Sequence, residues 1–153
     1  MENPKTVCIV GVGNSLRSDD GIGHYVCRCI EIMNLPDVET LIVHQLEVEM
    51  IEKFLMYELI IIADGSVKQN DVEIFRVDEQ VAATTSSHHV SAAALQHLAA
   101  LLYDRKLPLY VCAVKGETFD FGEKISVAGK KRADQAINKI LALVNEKQLT
   151  EAN

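Results

Sequence analysis

Positive charge is scarce in this chain. Its 153 residues carry 15 Lys plus Arg against 22 Asp plus Glu, a formal net charge of −7. General binding to a phosphate backbone needs a basic face, so nucleic acid is excluded as a partner class. Long apolar runs are missing as well. Nothing approaches the roughly 18 to 20 apolar residues that cross a bilayer, and no membrane span is expected. Residues Met1 to Thr6 are polar and run straight into a strand, which is not the pattern of a secretory signal peptide. There are only four cysteines, Cys8, Cys27, Cys29 and Cys112. They form no CxxC pair and fall inside expected regular elements, so no secreted disulfide framework is present. Buried free thiols and a cytoplasmic location are expected instead. Internal repeats and low-complexity segments are absent too. What is there is globular: 48% apolar and 24% charged residues, with a length that suits one domain over 1–153. The acid surplus is local, since Asp37 to Glu79 holds eleven acids and three bases.

Apolar and polar runs predict strands alternating with helices. Thr6 to Gly11 is a continuous β-branched run, as in a strand buried on both faces. A polar loop over Gly13 to Asp19 leads into a helix from about Asp20 to Met33. Val38 to Val43 reads as a strand and Val48 to Met56 as a short amphipathic helix. Leu59 to Ala63 is the strongest strand, ending at Asp64-Gly65. Val72 to Val77 alternates as a half-exposed or edge strand does. Val90 to Tyr103 reads as a helix, Pro108 to Val114 as a buried strand, and Lys130 to Glu146 as the last helix. This order predicts a three-layer α/β/α sandwich around a mostly parallel five-stranded sheet. Ligands in such folds gather at the carboxyl ends of the strands.

The first strand leads into Gly11-Val12-Gly13-Asn14-Ser15-Leu16-Arg17-Ser18-Asp19-Asp20-Gly21-Ile22-Gly23. A dinucleotide fingerprint needs a third glycine where Leu16 stands, and the phosphate-cradling lysine of a P-loop is missing. The loop instead offers two carboxylates at a helix start. Asp19 suits the N-cap, and Asp20 is either a second acid complementing the helix dipole or a site residue. Four glycines suggest backbone held close to something. Asp64 ends the third strand, His44 ends the second, and Ser86-Ser87-His88-His89 precedes the third long helix. His24 and His97 fall within helices, where a structural role is the simpler expectation. Asp20, Asp64 and one of His88 or His89 thus stand at three element ends on the expected ligand edge. Two carboxylates and an imidazole suit a divalent first-row metal with open positions. No GxSxG elbow, HExxH helix or cysteine–histidine pair offers another nucleophile or metal site.

The segment Val7 to Gly23, with its GxGNxLxxDDGxG pattern, resembles the opening signature of the nickel–iron hydrogenase maturation endopeptidases. The resemblance continues through the strand end at Asp64, the Ser87-His88-His89 segment and Gly122-Glu123-Lys124-Ile125-Ser126, similar to the family's late GExLS element. It implies removal of a C-terminal extension from the hydrogenase large-subunit precursor after nickel has been inserted. It further implies that Asp20, Asp64 and His88 contact the substrate's nickel, so that the enzyme keeps no permanent cofactor. Many members carry Glu where Asp20 stands. The turn Val43-His44-Gln45-Leu46-Glu47-Val48-Glu49 is similar to a branch with a His-Gln-Leu turn, in which His44 either orients substrate or touches the metal, or else only caps locally.

Two divisions of labour follow from that reading. The substrate's metal polarises the scissile carbonyl and activates a water, or it only reports loading while Asp20 or Asp64 acts as general base. Two other function classes compete with it. One is a non-catalytic nickel-binding or quality-control module for the large subunit. The other is a small-molecule hydrolase or nucleotide-binding α/β protein. The free chain is expected to be monomeric. The acidic stretch around His44 and Asp64 would favour approach of a cationic, metal-bearing segment over the 8 to 10 Å that salt permits.

Overall fold

A computed structural model describes residues 6–67, 70–78 and 91–152 of the chain. The apolar runs become β1 (Val7–Val12), β2 (Val38–Val43), β3 (Leu59–Ser66), β4 (Val72–Arg76) and β5 (Leu109–Lys115). They form one sheet in the order β2-β1-β3-β5-β4, parallel except for β4, which runs antiparallel along β5 at the edge. The alternating pattern of β4 fits that edge position, where one face stays partly wet. The helices are α1 (Ile22–Met33), α2 (Met50–Phe54), α3 (Ala92–Tyr103) and α4 (Val127–Ala152). No helix among the described residues is long and apolar enough to cross a membrane.

Side chains on the central strands divide by the two-residue period of a pleated sheet. Val7, Ile9, Leu59 and Ile61 pack with α1 and α4 through Val26, Ile30, Ala136 and Ile140. Cys8, Val10, Ile60 and Ile62 pack with α2 and α3 through Ile51, Phe54, Leu95 and Ala99. Two cores on opposite faces make the expected three layers. The path from β1 to β2 leaves in one direction, and the path from β2 to β3 returns past β1 in the other. Right-handed crossovers therefore put α1 and α2 on opposite faces, and the order reverses between β1 and β3. That crevice is where a fold of this kind holds its ligand.

Helix α1 lies unusually close to the sheet. A Cβ at Gly11 would stand 2.4 Å from the Gly23 carbonyl oxygen, and one at Gly23 would stand 2.4 Å from that of Ala63. What these glycines approach is the protein's own backbone. Several element ends differ by a residue or two from the sequence reading, and three differences are larger or bear on the site. A 3-10 turn at Ser18–Gly21 precedes α1. Strand β3 runs on to Ser66 because its pairing with β5 continues to Lys115, so Asp64 lies inside the sheet opposite Val12 and Ala113. Helix α4 begins at Val127 and is longer than its apolar pattern suggested.

All four cysteines are free; Cys8, Cys27 and Cys112 are buried and Cys29 half-buried. Burial pushes the Cys8 thiol up to about 12 and those of Cys27 and Cys112 up to about 11, which holds them protonated and unreactive.

Candidate functional site

The loop after β1 turns through Gly13, whose φ of +140° is a conformation side chains rarely adopt. A Cβ there would lie 2.0 Å from the Asp20 carbonyl oxygen. Asn14 then closes the turn. Its Oδ1 accepts from the Leu16 N–H at 2.9 Å, and its own N–H donates to Asp20 Oδ2 at 2.9 Å. Such side-chain-to-backbone bonding is the ordinary work of Asn in a turn. Here it aims the Asp20 carboxylate at the crevice between β1 and β3.

Asp64 reaches the same crevice from the sheet. It is two residues beyond Ile62, which points to the α2/α3 face, and the strand period sends Asp64 to that side. The two acids line one cavity of about 400 Å³ with Asn14, Arg17, His44, Gln45 and Ser91. Burial pushes the Asp64 carboxyl up to about 7; the charge of Asp20 adds to the rise, and the Gly65 N–H partly offsets it. A carboxyl at that value changes protonation near neutrality, as a proton acceptor or a cation ligand at such a pH must. His44 is exposed on the cavity rim at the end of β2. His24 bonds through Nε2 to the Val43 carbonyl at 2.9 Å, and His97 is exposed on α3. His88 and His89 lie outside the described residues. Among the described residues no three His, Cys, Asp or Glu side chains converge as a metal site.

Asp19 corrects the sequence reading. It does not cap α1, whose N-cap is Gly21 and has no side-chain hydrogen bond. The Asp19 side chain is fully buried and turns toward a loop about a hundred residues away. Oδ2 accepts from the N–H groups of Glu117 at 2.6 Å and Thr118 at 3.3 Å, and from the Ser126 hydroxyl at 2.7 Å. Oδ1 accepts from the Ser126 N–H at 2.7 Å. Burial alone would raise this carboxyl, but the donors outweigh it and hold it below its ordinary value. Ser126 also accepts from the Gly129 N–H at 2.9 Å, so one side chain both ties Asp19 and caps α4. Glycines meet Asp19 from three directions: a Cβ at Gly65, Gly116 or Gly129 would lie 2.5, 2.7 or 2.8 Å from one of its atoms.

No protein-family model matches the chain, and no curated protein matches it by sequence. Solved structures do match. The hydrogenase maturating endopeptidase HybD from E. coli superposes with a TM-score of 0.75 at 23% identity, covering 93% of both chains. An endopeptidase from Escherichia coli, solved in solution, gives a TM-score of 0.73 at 26% identity over 93% of both. The hydrogenase maturation protease HybD from Thermococcus kodakarensis gives 0.70 at 23% identity, over 90% of this chain and 98% of its own. This chain has the fold of the hydrogenase maturation endopeptidases.

Within that fold, Asp20 from the 3-10 turn, Asp64 from within β3 and His44 from the end of β2 are brought to one cavity. Asn14 and Arg17 line it as well, and neither was singled out from the sequence. The spacing Asn14-x-Leu16 after a glycine was a readable turn signal. The direction of Arg17 was not, because it depends on a bridge to Gly122.

Proposed function

We propose that this chain is an endopeptidase that removes a C-terminal extension from the nickel-loaded large-subunit precursor of a nickel–iron hydrogenase. The observation that carries the reading is the pair Asp20 and Asp64, facing one cavity at the reversal of strand order. The fold's likeness to solved maturation endopeptidases and the resemblance of the Val7 to Gly23 segment support it. In this reading Asp20, Asp64 and His88 contact nickel that arrives with the substrate. His88 stands three residues before Ser91, which lines the cavity.

The electrostatics give the metal a second effect. Asp64 is held partly protonated by burial and by the negative charge of Asp20. A cation placed between the two acids reverses that repulsion and drives Asp64 to the carboxylate form. A loaded precursor thereby supplies the ionised acid, which is then ready to hold the metal or to take a proton from the attacking water. An unloaded precursor leaves the pair as it was. The free enzyme acts as a cytoplasmic monomer of one domain, an address that its free thiols support.

Intact-mass measurement of purified precursor after incubation with the chain tests this. Loaded precursor should lose its C-terminal peptide, and nickel-free precursor should not. Stable binding of loaded precursor without any cut would overturn the protease reading in favour of a holding module.

A further inference from the structure

The loop that Asp19 ties down carries an apolar surface to the edge of the cavity. The Ser18 N–H donates to the Gly122 carbonyl at 2.7 Å, and the Gly122 N–H donates to that of Leu16 at 2.8 Å. The Ser18 hydroxyl donates to the Asp120 carbonyl at 2.8 Å, and the Asp19 N–H to that of Thr118 at 2.9 Å. With the four bonds to the Asp19 carboxylate, the chain from Glu117 to Ser126 is fastened along most of its length. The Arg17–Gly122 bridge is parallel, and the bond from the Gly122 N–H to the Leu16 carbonyl brings Leu16 up to the residue that follows Phe121.

Yet Phe121 is 89% exposed and Leu16 46% exposed. A slack loop can fold a phenylalanine back onto the protein. A loop fastened on both sides of Phe121 holds the ring in water, where a rigid aromatic anchor is an effective contact for a protein partner. Position narrows the partner further. Leu16 and Gly122 flank or pair with Arg17, which lines the cavity, so the surface continues the cavity's rim. A cavity of about 400 Å³ takes only a few residues around a cut bond. Selecting one folded protein needs contact outside it.

We propose that Phe121 and Leu16 form the docking surface for the protein substrate, receiving an apolar side chain of the large-subunit precursor next to the extension that is cut. The proposal rests on the reading under Proposed function and adds where recognition of the protein occurs, as distinct from recognition of the metal.

Steady-state cleavage of nickel-loaded precursor by Phe121→Ser, Phe121→Leu and the control Leu101→Ser tests it, with binding of the same precursor measured by calorimetry. Leu101 is also an exposed apolar residue, at 67%, on α3. Phe121→Ser should raise KM and Kd about tenfold with a much smaller effect on kcat, the change expected when one anchor is lost. Phe121→Leu should recover most of the affinity, Leu101→Ser should behave as wild type, and all three should melt with the parent. Wild-type KM and Kd in Phe121→Ser would overturn the proposal. So would a dimer of the parent chain that Phe121→Ser dissociates, since the surface would then belong to a second copy. Loaded precursor that binds the parent through Phe121 yet is never cut would leave the docking surface standing and remove the protease reading instead. A parent chain that neither binds nor cuts would remove both.

Discussion

Replacing Asp64 by Asn separates the stability cost of the site from its chemistry. The Asp64 carboxyl rises from an ordinary 3.8 to about 7 in the folded protein. The folded state therefore holds a proton that the unfolded chain has released, and stability falls as pH rises. The sign is set by that difference. Below about pH 4 both states are protonated and Asp64 costs nothing. The cost accumulates between about 4 and 7, then levels off. Each pH unit between the two values is worth about 1.4 kcal/mol, so the ceiling is roughly 4 kcal/mol. Water entering an open cavity lowers it, and about 2 to 4 kcal/mol is the working range. Asn keeps the size and loses the charge, so Asp64→Asn should exceed the parent by that amount at pH 8 and match it at pH 4 in urea unfolding. Asp20→Asn should lower the Asp64 carboxyl toward its ordinary value in a carbon-13 NMR titration, because the Asp20 charge contributes to the rise. Equal stability of Asp64→Asn and parent at both pH values would refute the reasoning.

Three further outcomes follow from the same contacts. Asp19→Asn places an amide among four donors and should cost about 3 kcal/mol or more at pH 7 in urea unfolding. Because the folded Asp19 carboxyl lies below its ordinary value, the parent's advantage over Asp19→Asn should be complete above that value and shrink as acid protonates the folded group. Gly23→Ala drives a methyl group to 2.4 Å from the Ala63 carbonyl oxygen and should cost about 3 kcal/mol by the same measurement. A thiol-specific reagent counted by mass should modify Cys29 in the native protein and reach Cys8, Cys27 and Cys112 only on unfolding.

Much of the fold was legible because the central strands bury both faces and therefore read as unbroken apolar runs. Val38–Val43 was readable to the residue, and the β4 alternation announced an edge. Element ends were harder. β3 outlasts its apolar run because β5 continues to pair with it, and no local pattern encodes a partner's length. Asp20 stood out as an acid at a helix start and Asp64 as one at a strand end, and the topology brings both to one cavity. Asp19 misled for a physical reason. An aspartate directly before the expected helix start at Asp20 has the local pattern of a cap, but burial against Gly65, Gly116 and Gly129 gives it better donors far away in the chain. Contacts made across about a hundred residues leave no periodic trace. The histidines at 88 and 89 fall outside the described residues, and their part in the site remains a proposal.

The central claim is that the carboxylate pair at the β1/β3 crevice performs a cut on a nickel-loaded protein. A time course of intact mass, with loaded precursor and parent, Asp20→Ala or Asp64→Ala, tests it most directly. The parent should convert precursor to the shortened form. Both variants should fall at least about a hundredfold in rate while keeping a cooperative thermal transition. Cleavage by both folded variants at the parent's rate would contradict the account.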